Sequence, residues 1–447
     1  MKIRNFIKEE RVILIICFLV FVVSAAYAFC YRIQPAVDAR AYDTVAMNII
    51  KGQGFRLYPE KPLLQDDVIT YQGPAYQYFL AIIYFIFGHH YEAVWLIQAL
   101  LRALSALLIF LICKKIFKAE EYRRIGHIAA IIFGFYPDLI EISAMLLTET
   151  FYIFFTILVV YIFFRYYEQI AFKGVFWLGL TTGISILIRS TAGGIFAPVF
   201  IFYFWRRKAW KHLIFFLILI AIIMTPWTIR NYRVYHAFIP TMANFGYNLW
   251  TGNHEGGDGE GGNVPQHFEV MERYGVIGAN SYGIEQFKNF ILNHPLTYIK
   301  LTITRIVKYF SFIRPMGFWF YQRGLSQFIF IACSAFASVI LFTLGFAGIF
   351  AVLKKERKNA KLLYLITFAS LTFLSVVPII IETRYRLPIY PFMAVFSGFF
   401  VAKFLASKKE YSQYLIAAFS VLLLFSIIDF TLELPKVINK LMIIFHK

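Results

Sequence analysis

MKIRNFIKEER (residues 1–11) followed by VILIICFLVFVVSAAYAFC (residues 12–30) decides the fold. The first segment carries Lys2, Arg4, Lys8 and Arg11; the second carries no charge and is long enough, as a helix, to cross a hydrocarbon layer about 30 Å thick. Positive charge on one flank of an apolar run marks the cytoplasmic side, so the run is expected to cross outward from a cytoplasmic N-terminus. It ends in Ala26-Tyr27-Ala28, a loose fit to a signal-peptidase site. Its apolar core of about 18 residues is longer than a usual signal h-region, so a retained anchor is expected.

The same alternation of apolar run and basic cluster recurs along the chain. Of its 447 residues, 60% are hydrophobic and 15% charged, with mean hydropathy +0.65, which excludes a soluble globular domain. The runs are continuously apolar rather than alternating with period two, which excludes a membrane β-barrel. The expected class is all-α: a polytopic transmembrane helical bundle. Basic clusters at 114–124, 165–173, 206–211, 354–361 and 403–409 fall on one side if the crossings are 12–30, 91–113, 125–145, 147–165, 173–189, 191–205, 210–227, 326–353, 361–381, 387–404 and 411–430. The apolar stretch 75–88 is too short to cross and is expected to be an interfacial or re-entrant helix. An interfacial helix within 300–325 widens the expectation to 11–13 membrane helices. Residues 1–447 then form a single transmembrane domain, with segments 31–90 and 228–325 on the outer, substrate side.

The net charge of +19 does not point to nucleic acid, because the Lys and Arg sit in short clusters between apolar runs. Cys17, Cys30, Cys113 and Cys333 lie in or beside apolar runs without Cys-x-x-Cys spacing, so they read as unpaired thiols. The run Glu255-Gly-Gly-Asp-Gly-Glu-Gly-Gly-Asn263 reads as a flexible loop without fixed calcium-ligand spacing. No internal repeat of the kind that builds many transporters is visible.

Ionisable residues at membrane depth are costly and so point to function. On this topology they gather at the outer ends of the spans: Asp38 and Asp43 after the first, Asp138 and Glu149 beside the third and fourth, Arg189 after the fifth, Arg230 after the seventh, and Glu382-Thr-Arg-Tyr-Arg-Leu-Pro388 between the ninth and tenth. Guanidinium forks such as Arg384 and Arg386 suit a phosphate, and a carboxylate at the interface suits a general base. Asp38 and Asp43 are five residues apart, which on a helix turns their carboxylates about 140° from each other.

Taken in order, Asp38 to Tyr42 with Ala46 and Gly52-Gln-Gly-Phe55, then Gly73-Pro-Ala-Tyr76, Leu147-Thr-Glu149, Leu187-Ile-Arg189, Pro226-Trp-Thr-Ile-Arg-Asn231, Asn244 to Asn253 and Glu382 to Pro388 form a series. The series resembles the bacterial GT-C glycosyltransferases of glycosyltransferase family 39 (PMT-like and ArnT-like). The resemblance implies a GT-C type bundle and an inverting transfer of a sugar from a polyprenyl-phosphate donor to a lipid, glycan or protein acceptor hydroxyl on the extracytoplasmic face of the cell membrane.

In that scheme Asp38 is the general base, and Arg384, Arg386, Arg230 and Arg189 hold the donor phosphate. Asp43, Tyr42, Glu149, Asn253, Glu382 and Tyr385 contact sugar or acceptor. Many relatives carry Asp-Glu where this chain has Asp38-Ala39, so no cofactor is assigned and a divalent metal is left open. Two other readings are a ligase of polyprenyl-linked glycans, using His236, His254 or His267 as base, and a transporter or flippase of lipid-linked saccharides. The latter would hold its ionisable residues near the midplane.

Overall fold

A computed structural model describes residues 9–70, 73–261, 264, 267–314 and 324–445. Lys2, Arg4, Lys8, Gln72, Gly262, Asn263, the His267 side chain and the 315–323 part of the second outer segment lie outside the described residues. Among the described residues the regular elements are helical, with one isolated bridge between Glu260 and Ile381.

Each expected crossing is a helix. In chain order these are Arg11–Tyr31, Tyr91–Ile116, the pair Tyr122–Gly134 and Pro137–Ser143, Thr148–Arg165, Phe172–Ile188, Thr191–Arg206, Trp210–Tyr235, Leu325–Lys355, Ala360–Leu374, Tyr390–Ala406 and Lys408–Phe445. By length and composition, seven described spans suffice to cross a membrane, or eight when the bent pair counts as one. That is fewer than the 11–13 expected, because Phe172–Ile188, Thr191–Arg206 and Ala360–Leu374 are short: 15–17 residues reach only about 25 Å at 1.5 Å per residue. The 58° bend in the pair falls at Tyr136-Pro137. Proline removes an amide donor and drives the residue before it to extended backbone, and Tyr136 is extended at φ −69°, ψ 122°.

Charged contacts mark two ends of the bundle. At one, Glu10 accepts from Lys114 at 2.9 Å and Arg123 at 3.3 Å, Lys403 meets Glu121 at 2.5 Å, and Lys361 meets Glu168 at 2.8 Å. At the other, Arg384 meets Asp38 and Arg189 meets Glu149. The first helix runs from Glu10 to the Asp38 end, Thr148–Arg165 returns from Glu149 to the Glu168 end, and the turn before Tyr390–Ala406 starts at Arg384 and leads to Lys403. Chain direction therefore alternates between the two ends as the spacing of basic clusters predicts.

The Ala75–Phe87 helix stays at the Asp38 end. Its start rests on the Phe172–Ile188 helix terminus, where a Cβ on Gly73 would lie 2.2 Å from the Leu187 carbonyl oxygen, so only glycine fits. Beyond its far end, His89 reaches Asp43 at 2.9 Å and Glu92 reaches Arg32 at 3.2 Å. It does not cross, as its length predicts. Segment 31–90 joins residues 227–243 through a separate apolar cluster, Ala41, Val45, Phe55 and Leu57 with Trp227, Tyr235, Ile239 and Ala243.

Candidate active site

Asp38 opens the Asp38–Ile50 helix. The residue before it, Val37, sits at φ 48°, ψ −118°, in the left-handed half of conformational space that β-branched side chains avoid. Such backbone costs on the order of 1–3 kcal/mol and is held by its surroundings, here a turn closed by the Ala39 amide donating to the Ala36 carbonyl at 3.0 Å. The turn delivers the Asp38 carboxylate to Arg384, whose Nη2 lies 2.7 Å away.

Arg384 belongs to the tight helical turn Thr383–Ile389. Its Nε donates to Glu382 at 3.0 Å and lies 4.0 Å from Glu149. Glu149 in turn accepts from Arg189, whose Nε also donates to the Thr148 hydroxyl at 3.0 Å. Four separate element ends thus build one line of alternating charge: Asp38, Arg384, Glu149, Arg189. Burial grades along it. The Asp38 side chain is 22% exposed and Arg384 12%, whereas Glu149 is fully buried. The accessible pair is therefore Asp38 with Arg384, and the inner pair fixes Arg384 in place.

Two cavities flank this line. The larger, about 440 Å3, is mostly apolar, with Ile195, Met242, Phe245, Val376 and Ile379 on its walls; Arg189, Tyr152, Asn244, Asn248 and Tyr385 add polar atoms. The smaller, about 140 Å3, is lined by Arg384, Arg386, Lys308, Arg314, Glu260 and Glu382. Tyr42 is buried beneath Asp38 and packs edge-on against Tyr76, ring centroids 5.6 Å apart. The structure therefore brings together Asp38, Tyr42, Glu149, Arg189, Glu382, Arg384 and Tyr385.

Four predicted residues are placed elsewhere. Asp43 faces away from Asp38 and accepts from Tyr84 at 2.7 Å and Tyr91 at 3.0 Å as well as from His89, as the five-residue spacing requires. Arg230 donates to the Phe55 carbonyl at 3.0 Å and lies over the Trp227 ring, joining segment 31–90 to the Trp210–Tyr235 helix. Asn253 donates to the Leu249 and Ile379 carbonyls and accepts from Arg305 at 2.7 Å, so it closes a loop. Arg386 lines the small cavity but spends its guanidinium on the Ser311 carbonyl at 2.9 Å, the Arg314 carbonyl and Asp138. Both arginines line the small cavity, but only Arg384 reaches Asp38 and Glu149.

Sequence reasoning missed Lys308, Arg314, Glu260, Asp429 and Glu433. Arg314 takes Asp429 with both arms and meets Glu260 and Glu433; Lys308 meets Glu260 at 2.8 Å and Glu433 at 3.0 Å. Burial would lower the Arg314 pKa, but the bonds from Asp429 and Glu260 outweigh it and raise it. The signal available was Arg305 and Lys308, three apart on one face of the Pro295–Phe310 helix. Among the described residues no group of three or more His, Cys, Asp or Glu side chains is arranged for a metal ion. The donors around Asp38 do not fit a cation either, since Asp38, Glu149 and Glu382 are each bound to a guanidinium. Asp38 lines neither cavity, nor do His236 and His254.

Residues 71–229 match the family model of dolichyl-phosphate-mannose-protein mannosyltransferases, less than half of the chain, and this match bears out the resemblance read from the sequence. No protein of curated function matches the chain in sequence. Among solved structures, the oligosaccharyltransferase AglB from Archaeoglobus fulgidus, solved with an inhibitory peptide and a dolichol-phosphate, is similar at 15% identity and TM-score 0.49; the match covers 92% of this chain and 54% of that one. The chain thus spans about half the length of that protein. ArnT from Cupriavidus metallidurans bound to undecaprenyl phosphate is similar at 12% identity and TM-score 0.43, covering 90% of this chain and 78% of that one.

Proposed function

We propose that this protein is a GT-C type membrane glycosyltransferase that moves a sugar from a polyprenyl-phosphate donor to an acceptor hydroxyl at the Asp38 end of the bundle, on the extracytoplasmic face of the cell membrane. The observation that carries the reading is the accessible Asp38–Arg384 pair, whose arginine lines the cationic cavity while Arg189, at the far end of the same line of charge, lines the apolar one. The match of residues 71–229 to a mannosyltransferase family supports the chemistry.

The apolar cavity suits the first isoprene units of the donor, with Arg189 and Tyr385 on its walls. The phosphate is bound by Arg384, with Arg189 behind it. The acceptor oxygen attacks the anomeric carbon as the bond from that carbon to the phosphate oxygen breaks, inverting the centre. The electron pair leaves on the lipid phosphate, where the guanidinium stabilises the growing charge. The acceptor proton passes to the Asp38 carboxylate. Arg384 binds Asp38 at 2.7 Å, so a phosphate that draws Arg384 toward itself also frees the base. Donor binding and base release are thereby coupled. Sugar and acceptor lie against Tyr42, Glu382 and Tyr385, and no step runs through a metal.

Mass spectrometry of envelope lipids, glycans and proteins from cells with and without the gene tests the reading. One class is expected to lose a sugar when the gene is absent. Unchanged sugar content in all classes, with flux of lipid-linked saccharide in proteoliposomes, contradicts it.

A further inference from the structure

The small cavity beside Arg384 already holds an anion, and that anion is the protein's own. Lys308 is 2% exposed, and its ammonium points at Glu260, Glu433 and the Asp258 carbonyl. Arg314 reaches the same Glu260 Oε1 as Lys308, at 2.5 Å. Glu260 is therefore clamped between two cations, as an oxygen of a bound phosphate would be.

The acids around this clamp are unequal. Asp429 is fully buried and belongs to the frame; Glu433, 25% exposed, is held on a helix backbone one turn further along. Glu260 is 31% exposed and stands on a glycine-flanked loop, with Gly259 at φ 85° and Gly261 following. The loop is fastened at its backbone: the Arg305 Nε donates to the Gly259 carbonyl at 3.0 Å, and the Ile381 amide donates to the same oxygen at 3.3 Å. The Glu260 side chain can thus leave its seat while the loop stays anchored. With Glu260 withdrawn, Lys308 and Arg314 keep Asp429 and Glu433, and Arg384 and Arg386 border the same space. At about 140 Å3 the cavity holds several times the ~30 Å3 share of one water.

We propose that Lys308 and Arg314 form a phosphate seat, and that Glu260 fills it as an exchangeable internal anion until a ligand phosphate displaces it. A phosphomonoester brings three terminal oxygens and up to two charges where a carboxylate brings two oxygens and one charge, so it is the stronger partner for a Lys–Arg clamp. The ligand class is a phosphomonoester group. Its source is the head group of the polyprenyl-phosphate product, or a soluble phosphate. The inference rests on the transferase reading for why a phosphate arrives here, but its test needs no turnover.

The test is binding of inorganic phosphate to the full-length protein in detergent, by calorimetry. Glu260→Gln keeps the shape, removes the competing charge, and is expected to bind phosphate about tenfold more tightly, worth ~1.4 kcal/mol. Adding Lys308→Met is expected to erase the gain; Glu260→Ala repeats the test should the glutamine variant fold poorly. Farnesyl phosphate that competes with inorganic phosphate in Glu260→Gln assigns the seat to the lipid head group, and an absence of competition assigns it to a soluble phosphate; either supports the seat. Unchanged or weaker phosphate binding in both Glu260 variants overturns it. A stronger phosphate response without any sugar transfer keeps the seat and removes the transferase reading, so the two failures are distinct.

Discussion

At the Asp38 end of the bundle, charge is carried by arginines, is graded from exposed to buried, and borders two cavities. At the Glu10 end one buried acid, Glu10, meets Lys114 and Arg123, and the remaining pairs are lysines on exposed acids: Lys403 with Glu121, Lys361 with Glu168, Lys355 with Glu410. Both ends are rich in ion pairs, so charge density alone does not locate a site. What differs is commitment. Exposed lysine pairs contribute about 0–1 kcal/mol and are screened by salt. The Asp38 line assembles ends of four elements and leaves only its outer pair accessible, an arrangement whose cost is explained by a ligand that uses it.

Four variants break or sharpen this contrast. Asp38→Asn has the largest expected effect: transfer falls by about 10³-fold, within the range for loss of a general base, with an unchanged melting temperature in detergent. Arg384→Gln follows, with about 10²-fold lower kcat/KM for the donor; unchanged donor saturation kinetics would remove it from the phosphate site. Arg386→Gln separates the two arginines of one turn. It uncouples a buried guanidinium from Asp138 and two carbonyls, so it is expected to cost about 3 kcal/mol of stability, while donor KM per folded molecule moves far less than in Arg384→Gln. Lys403→Gln at the opposite end is expected to cost less than about 1 kcal/mol and leave transfer unaltered.

Acid sharpens the same contrast. Burial would raise the Glu10 pKa, but hydrogen bonds from Lys114, Tyr122 and Arg123 outweigh it and hold the carboxyl below its ordinary value of 4.5. A lowered folded-state pKa means that Glu10 contributes stability above the unfolded value and loses it as pH falls through the folded one. Wild type is therefore expected to lose stability below about pH 4.5 more steeply than Glu10→Gln, as followed by thermal melts across pH; parallel profiles would show that the pair network at this end contributes nothing.

The helical bundle was legible in the sequence because hydrocarbon imposes run length and loop charge imposes direction, and both constraints are local. Asp38, Glu149, Arg189 and Arg384 were legible because they end apolar runs on one side. Asp43 and Arg386 show the limit: helical rotation turns Asp43 away from Asp38, and Arg386, two residues from Arg384, lines the small cavity with its guanidinium already engaged by Asp138 and two carbonyls. Arg230 and Asn253 lie in family-like motifs whose work here is to join loops. The Lys308, Arg314 and Glu260 clamp was barely legible, since its members come from an amphipathic helix, the turn after it and a glycine-rich loop, and their partners Asp429 and Glu433 from the last helix of the chain. Only long-range packing brings them together.

The most direct test of the account is complementation of cells lacking the gene with wild type and with Asp38→Asn, both verified in the membrane, followed by mass spectrometry of the sugar-bearing envelope component. Wild type is expected to restore the missing sugar and Asp38→Asn to leave it missing. Restoration by Asp38→Asn to the wild-type level would contradict the assignment of Asp38 as the base.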